Sequence, residues 1–310
     1  MTLAFLFPGQ GSQTVGMGQT LANAHPAAMA LWQSADELLG FSLSDLCWNG
    51  TEETLNDTYN TQPALYVAGL AALAALQAAG YSEKPTFVAG HSLGEITALA
   101  MAGALSFADG LRLVRERGRL MKLAGERQPG GMAALLALSA EQVSALCAQA
   151  SQETGEQVQL ANDNCPGQVV ISGHESALLR AMELATAAKA KKVVRLPVSI
   201  AAHSPLMRSV SAEYSDFVAQ LQVQLPQVPV LANATAQPLA DVPAIRAELT
   251  SQLTSPVRWA ESVQYLLAQG VTTFIEFGSK DVLKSLVRRI ERSANGIVVD
   301  APEHITALLG

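Results

Sequence analysis

The sequence predicts an α/β fold in two parts: a large domain built on a parallel sheet, and a small ferredoxin-like domain inserted into it. Three observations predict this. Short apolar strands alternate with helical patterns through residues 1–127, the mark of a parallel sheet covered by helices. At Gln128-Pro129-Gly130-Gly131 the rhythm changes to β-α-β-β-α-β, the split βαβ order. After Ser199 the first alternation returns. The boundaries are therefore 1–127 and 199–310 for the discontinuous large domain and 128–198 for the small one, an insert of about 70 residues and within the usual domain range. A cleft between two such domains is where a substrate is expected.

The elements follow in order. Leu3–Phe7 reads as a buried strand running into Pro8-Gly9-Gln10-Gly11-Ser12-Gln13. Helical patterns continue to Ala79, with Thr61 as an N-cap ahead of Pro63. Pro63 to Gly80 is the most apolar stretch, but it is Ala-rich and broken by Tyr66, Gly69 and Gln77. It falls short of the ~20 strongly apolar residues of a membrane span and predicts a buried helix. Thr86–Ala89 is a strand, followed by a helix to Ala102. Ser106 and Asp109 form a capping box that opens a helix from Phe107 to the vicinity of Leu123.

In the insert, strands are expected at Met132–Leu138, Val158–Ala161, Gln168–Ser172 and Lys192–Val198, with helices at Ala140–Gln152, capped by Ser139, and Glu175–Lys189. Beyond it, Ser204-Pro205 opens a helix to Leu221, and Val228–Asn233 is a strand. Helices then cover Ala244–Leu253, Trp259–Gln269 and Val282–Ser293, with strands at Thr273–Phe277 and Ile297–Val299.

Composition narrows the function classes. Hydrophobic residues make up 49% of the chain and charged ones 15%, ample for a core. A net charge of −7 argues against nucleic acid as the main ligand. Cys47, Cys147 and Cys165 are far apart, with neither metal-ligand spacing nor a disulfide framework, which fits a reducing compartment. Met1-Thr2-Leu3-Ala4-Phe5 lacks a basic leader and reads directly into a strand, so a cytoplasmic protein without a membrane segment is expected.

The chemistry centres on Gly90-His91-Ser92-Leu93-Gly94-Glu95. A G-x-S-x-G pattern between a strand and a helix is a nucleophile elbow, which makes the large domain α/β-hydrolase-like. The glycines let the backbone crowd through a sharp turn. Ser92 is then presented at a helix N-terminus, where free N–H groups and the helix dipole favour developing negative charge. Without the flanking elements the same pattern would be a tight turn with an incidental serine.

A serine nucleophile needs a base, and histidine is the usual one. His25, His174 and His304 lie in unrelated elements, and His91 points away from its neighbour on an elbow. His203 stands at the domain junction, which makes it the candidate base. No Asp or Glu is an obvious third member: Asp163 lies in the insert and Asp216 inside a helix. A carbonyl oxygen can hold the imidazole instead, which would give a weaker base suited to acyl transfer.

Seven motifs in sequence carry a family resemblance. They are Phe7-Pro8-Gly9-Gln10-Gly11-Ser12-Gln13, Thr61-Gln62-Pro63-Ala64, the elbow, Arg117-Gly118-Arg119-Leu120-Met121, Asn162-Asp163-Asn164-Cys165-Pro166-Gly167-Gln168, His203-Ser204-Pro205-Leu206-Met207 and Pro256-Val257-Arg258-Trp259. Nearly end to end, the chain resembles the malonyl-CoA:acyl carrier protein transacylases and the acyltransferase domains of fatty acid and polyketide synthases.

The resemblance implies Ser92 as the acylated nucleophile, His203 as its base, and Gln252 as the residue whose backbone carbonyl holds the imidazole. It implies oxyanion-hole N–H groups from Gln10 and Leu93, a preorganised donor of this kind being worth roughly 3–4 kcal/mol of barrier. It makes Arg117 the grip on the malonyl carboxylate, since a guanidinium binds a carboxylate through a fixed fork. By composition alone Arg112, Arg115, Arg117 and Arg119 crowd one helix, and most of them must face water. Asn162 joins the substrate site with Ala202, which stands where many malonyl-selective relatives carry phenylalanine. Leu93 is the more malonyl-like choice.

The implied reaction is ping-pong transfer of malonyl from malonyl-CoA, through malonyl-Ser92, to the phosphopantetheine thiol of acyl carrier protein in fatty acid biosynthesis. No cofactor or metal is expected, and a monomer is the default. The same site would serve a polyketide or malonate-decarboxylase carrier protein, and an acyl-thioester hydrolase is the remaining enzymatic alternative. Carrier proteins of this pathway are acidic. Lys189, Lys191, Lys192 and Arg195, or Lys284, Arg288, Arg289 and Arg292, are therefore candidate docking clusters, unless they are simply solvated faces.

Overall fold

The computed structural model describes residues 2–310, and Met1, the first residue of the N-terminal stretch read above, lies outside them. Among the described residues eight strands form two sheets: β1 Leu3–Phe7, β2 Phe87–Gly90, β3 Gly130–Leu136, β4 Val158–Cys165, β5 Gln168–His174, β6 Lys192–Arg195, β7 Thr273–Phe277 and β8 Asn295–Val299. The first sheet runs β2-β1-β7-β8 and every pairing in it is parallel. The second runs β4-β5-β3-β6 and is antiparallel throughout.

The central strand β1 shows why the parallel sheet forms. All five residues of Leu-Ala-Phe-Leu-Phe are buried, as expected of a strand flanked on both edges and covered on both faces. Phe5 and Phe7 pack on Phe277 of β7 at ring-centroid separations of 4.8 and 5.6 Å. The apolar helix expected near residues 63–80 is buried against this sheet, and no helix among the described residues is long and apolar enough to cross a membrane.

Several expectations are corrected. Thr61 is not a cap: its helix starts earlier, at Thr58, and Asp57 caps it by accepting from Tyr59 N at 3.0 Å. Pro63 is thus inside the helix, where it cannot donate to Tyr59 O. Arg115 Nη1 donates to that carbonyl instead, at 2.6 Å. Val228–Asn233 forms a parallel bridge between Val230 and Val88 rather than a full strand, because Pro229 has no N–H for a ladder. The helix expected from Ser204 is split into a 3₁₀ turn, Pro205–Val210, and an α-helix, Ser211–Gln220. Ser209 and Ser211 hydroxyls donate to Leu206 O and Met207 O, competing for carbonyls that a continuous helix would use.

β4 is longer than expected, and β6 is shorter. The extension of β4 has a cause outside its own sheet. Val257 N donates to Ala161 O at 2.8 Å and Asp163 N to Val257 O at 2.9 Å, which ties the antiparallel sheet to the segment before the Trp259 helix. Register shifts separate Leu160 from Asn162 and Asp163 from Cys165. Such bulges re-aim side chains, and here Asn162 and Asn164 both line the central cavity.

Candidate active site

β2 ends at Gly90, and the helix Leu93–Met101 begins three residues later. Ser92 between them has φ 52° and ψ −110°, a backbone state that costs a non-glycine residue about 1–3 kcal/mol. Close packing imposes it. A Cβ on Gly90 would lie 1.9 Å from Gly94 O, and one on Gly94 would lie 1.9 Å from Phe7 O. Asn233 clamps the turn: Ser92 N donates to its Oδ1 at 2.6 Å, and its Nδ2 donates to Gly90 O at 2.7 Å.

His203 is buried, with Nε2 2.7 Å from Ser92 Oγ. Its Nδ1 faces two backbone carbonyls, Gln252 O at 2.9 Å and Ser255 O at 3.0 Å. A carbonyl can only accept, so Nδ1 carries the proton and Nε2 is left to accept from the serine hydroxyl. The partners of Nδ1 are neutral carbonyls, with no carboxylate among them.

Burial, aided by the Arg117 charge, pushes the His203 pKa from 6.5 down to about 3, against the opposing pull of the two carbonyls. Lowering the pH protonates a base and stops it working, and that loss follows the folded-state pKa. Single-turnover acylation of Ser92 is therefore expected to show no histidine titration near pH 6.5, its acid limb lying toward pH 3. An inflection near 6.5 in the pH–rate profile would contradict this.

Of the four arginines clustered at 112, 115, 117 and 119 on the helix Phe107–Arg127, Arg112 and Arg119 are exposed, while Arg115 lies over the Tyr59 ring. Arg117 alone of the four is buried, 2% exposed. Its Nη1 donates to Gln62 Oε1 at 2.9 Å, and its Nη2 to Gln252 Oε1 at 2.9 Å and Ser92 Oγ at 3.1 Å. All three partners are neutral. Its Nε is buried with no hydrogen-bond partner among the described residues. Gln62 is braced by Thr58 Oγ1 at 3.1 Å, and that hydroxyl donates to Gln10 Oε1 at 3.0 Å.

Ser92, His203, Arg117, Gln10, Leu93, Asn162 and Ala202 all line one cavity of about 510 Å³, within the range of small-molecule sites. Gln252 stands behind the wall, 1% exposed. Gln10 and Leu93 line the same cavity as Ser92, and neither backbone N–H has an acceptor among the described residues. His91 turns away from Ser92 and pairs with Asn164 Oδ1 at 2.8 Å. The remaining histidines lie elsewhere, His25 at a helix start, His174 beside Gln157 and His304 beside Asp300.

The site also contains residues to which the sequence reading gave no role: Gln62, Glu95, Asn164, Asn233, Glu248 and Ser255. Two had a visible signal. Gln62 and Glu95 are polar residues at the edge of apolar helical runs, where burial demands a partner.

This geometry has counterparts among known proteins. Residues 4–302 match the family described as acyl transferase domain. The chain belongs to that family. A malonyl CoA-acyl carrier protein transacylase of Bacillus subtilis is 44% identical over 303 residues, covering 98% of this chain and 95% of that one. Among acyl transferases of known structure, the malonyl CoA-acyl carrier protein transacylase of Coxiella burnetii superposes with a TM-score of 0.96 at 37% identity, covering 99% of this chain and 96% of its own. A type II PKS malonyl-transacylase, solved in complex with its acyl-carrier protein, superposes equally well, with a TM-score of 0.96 at 36% identity over 100% of this chain and 99% of its own.

Proposed function

We propose that this acyl transferase moves a malonyl group from malonyl-CoA to the phosphopantetheine thiol of an acyl carrier protein, as an [acyl-carrier-protein] S-malonyltransferase. The observation that carries the reading is a buried arginine, bonded only to neutral groups, 3.1 Å from a serine hydroxyl that is itself 2.7 Å from a histidine. A buried cation beside a nucleophile suits an acyl group bearing its own carboxylate.

In the first half-reaction His203 Nε2 takes the Ser92 proton as Oγ attacks the thioester carbonyl. The oxyanion accepts from the N–H groups of Gln10 and Leu93. The C–S bond then breaks, and the CoA thiolate leaves with the proton from His203. Malonyl-Ser92 keeps its carboxylate on Arg117. In the second half the carrier thiol loses its proton to His203 and attacks the ester, and Ser92 leaves with that proton. None of these steps calls on a metal or cofactor. The segments 1–127 and 199–310 supply Ser92, Arg117 and His203, and 128–198 supplies Asn162, so closure of one part on the other would exclude water from the ester. Ala202 leaves space beside the acyl group, and selection then rests on Arg117 more than on steric exclusion.

The test is intact-protein mass after brief mixing with malonyl-CoA, then after addition of carrier protein. A malonyl-sized adduct that disappears onto the carrier supports the reading. An adduct lost to water at the same rate with or without carrier points to a hydrolase.

For carrier docking, the second basic cluster is the better placed. Arg288, Arg289 and Arg292 surround an open depression, and Val282, Leu283 and Leu286, on the helix Val282–Ile290 that carries Arg288 and Arg289, line the central cavity. Arg289 Nη1 donates to Gln168 Oε1 at 2.7 Å at the cavity margin. In the other cluster Arg195 is already engaged by Glu175. Charge reversal at Arg288 and Arg292 is expected to raise KM for carrier protein about tenfold or more at low salt, with malonyl-CoA acylation of Ser92 unchanged. Equal loss in both half-reactions, measured by stopped mixing, would remove this face from consideration.

A further inference from the structure

Resting on the reading of Arg117 as the grip on the substrate carboxylate, we propose that Glu95 is a positioning residue for acyl selectivity. Through the Gln252 amide it holds the Arg117 guanidinium beside Ser92 while leaving that guanidinium without a directly bound carboxylate.

The argument begins with an imbalance. A buried guanidinium normally pairs with a carboxylate, yet Arg117 is bonded to Gln62, Gln252 and Ser92. The nearest acidic group is one side chain further on. Gln252 Oε1 accepts from Arg117 Nη2, while Gln252 Nε2 donates to Glu95 Oε2 and to Ser92 O. An amide has one accepting and one donating end. A carboxyl oxygen at the donating end therefore fixes the polarity of Gln252, so that its oxygen faces the arginine. With the amide reversed, NH₂ would meet guanidinium and the contact would become repulsive.

Glu95 is fully buried and held from several sides. Its Oε1 accepts from Asn233 N at 3.2 Å, and Asn233 is the residue that clamps the elbow. Across from it is the carboxyl of Glu248, which accepts from Ala234 N at 2.9 Å. The charged and titratable groups facing Glu95 are Glu248, Arg117 and the Tyr214 hydroxyl. Burial raises the pKa of both carboxyls, and for Glu95 the neighbouring Glu248 carboxyl raises it further. A carboxylate touching Arg117 directly would occupy the fork that the acyl carboxylate needs. The relay positions the cation through a neutral amide and leaves the fork to the substrate.

Glu95→Gln is isosteric and tests the polarity, because it replaces the carboxyl that accepts from Gln252 Nε2 by an amide that can meet Gln252 with either its donating or its accepting end. Glu95→Ala removes the group. The readout is the ratio of malonyl to acetyl loading on Ser92 from competing malonyl-CoA and acetyl-CoA, measured by intact mass, with KM and kcat for each. Damage to the elbow slows both acyl groups and cancels in the ratio, whereas displacement of Arg117 does not. We expect the ratio to fall by about threefold to tenfold in Glu95→Gln, the worth of one hydrogen bond, and further in Glu95→Ala, mainly through a higher KM for malonyl-CoA. If Glu95→Ala does not fold, Glu95→Gln decides alone. An unchanged ratio in Glu95→Gln overturns the relay. Arg117→Ala run in parallel separates the two ideas. A ratio that collapses there but holds in Glu95→Gln removes only the relay, and a ratio that holds in both removes the carboxylate grip itself.

Discussion

Replacing Ser92 by alanine is expected to abolish the malonyl adduct and to slow transfer by at least about 10³-fold, since removing a nucleophile leaves only binding and oxyanion stabilisation. The geometry gives the reason. Ser92 Oγ is the only atom of this side chain able to form an ester, and it is poised between His203 Nε2 at 2.7 Å and Arg117 Nη2 at 3.1 Å. The rest of the elbow is held by contacts that alanine keeps: the clamp on Ser92 N by Asn233 and the crowding of Gly90 and Gly94 are backbone features. The thermal midpoint should therefore stay close to wild type while the adduct vanishes from the intact mass. A malonyl adduct that survives in Ser92→Ala would place the nucleophile elsewhere.

Arg117→Ala should have the second largest effect. Truncating one partner of a buried, hydrogen-bonded charge pair costs about 2–5 kcal/mol, which is ~30-fold to several thousand-fold in loading from malonyl-CoA. Neutral acyl groups should move the other way. With the guanidinium gone, the wall of the cavity beside Ser92 no longer carries an unmatched cation, and acetyl-CoA should load Ser92 at a rate that competes with malonyl-CoA. Gln62 Oε1 and Gln252 Oε1 lose their donor together, so the cost extends beyond the salt link itself. The check is competitive loading read by mass. Undiminished malonyl preference in this variant would mean that the carboxylate is recognised by another group.

Much of the fold could be read from residue order because local and global signals agree. Leu3–Phe7 is apolar at every position and lies at the centre of a parallel sheet. The β-α-β-β-α-β rhythm from Gly130 to Arg195 appears as one antiparallel sheet with two helices. The failures have two kinds of cause: a competing local residue, as with Asp57 and Pro229, or a partner from far along the chain, as with Arg115 and Val257. Asp57 took the capping role from Thr61, and Arg115 took the carbonyl that Pro63 leaves free. Val257 lengthened β4, and Pro229 prevented the Val228–Asn233 segment from laddering.

By itself the sequence determined the alternation of strands and helices, the sharp turn at Gly90 and Gly94, and the position of Ser92 on it. These depend on side-chain periodicity and on the absence of a Cβ, which neighbouring residues decide. His203 was a candidate by position, and Arg117 and the Gln252 carbonyl by resemblance, but the contacts that join them to Ser92 and the burial of Arg117 are set by tertiary structure. His203 is 111 residues from Ser92, and Gln252 is 49 beyond that. The Glu95–Gln252–Arg117 relay joins three helical segments that no local pattern connects. Such contacts form because burial leaves each polar group in want of a partner, and only the packed chain shows which partner is within reach.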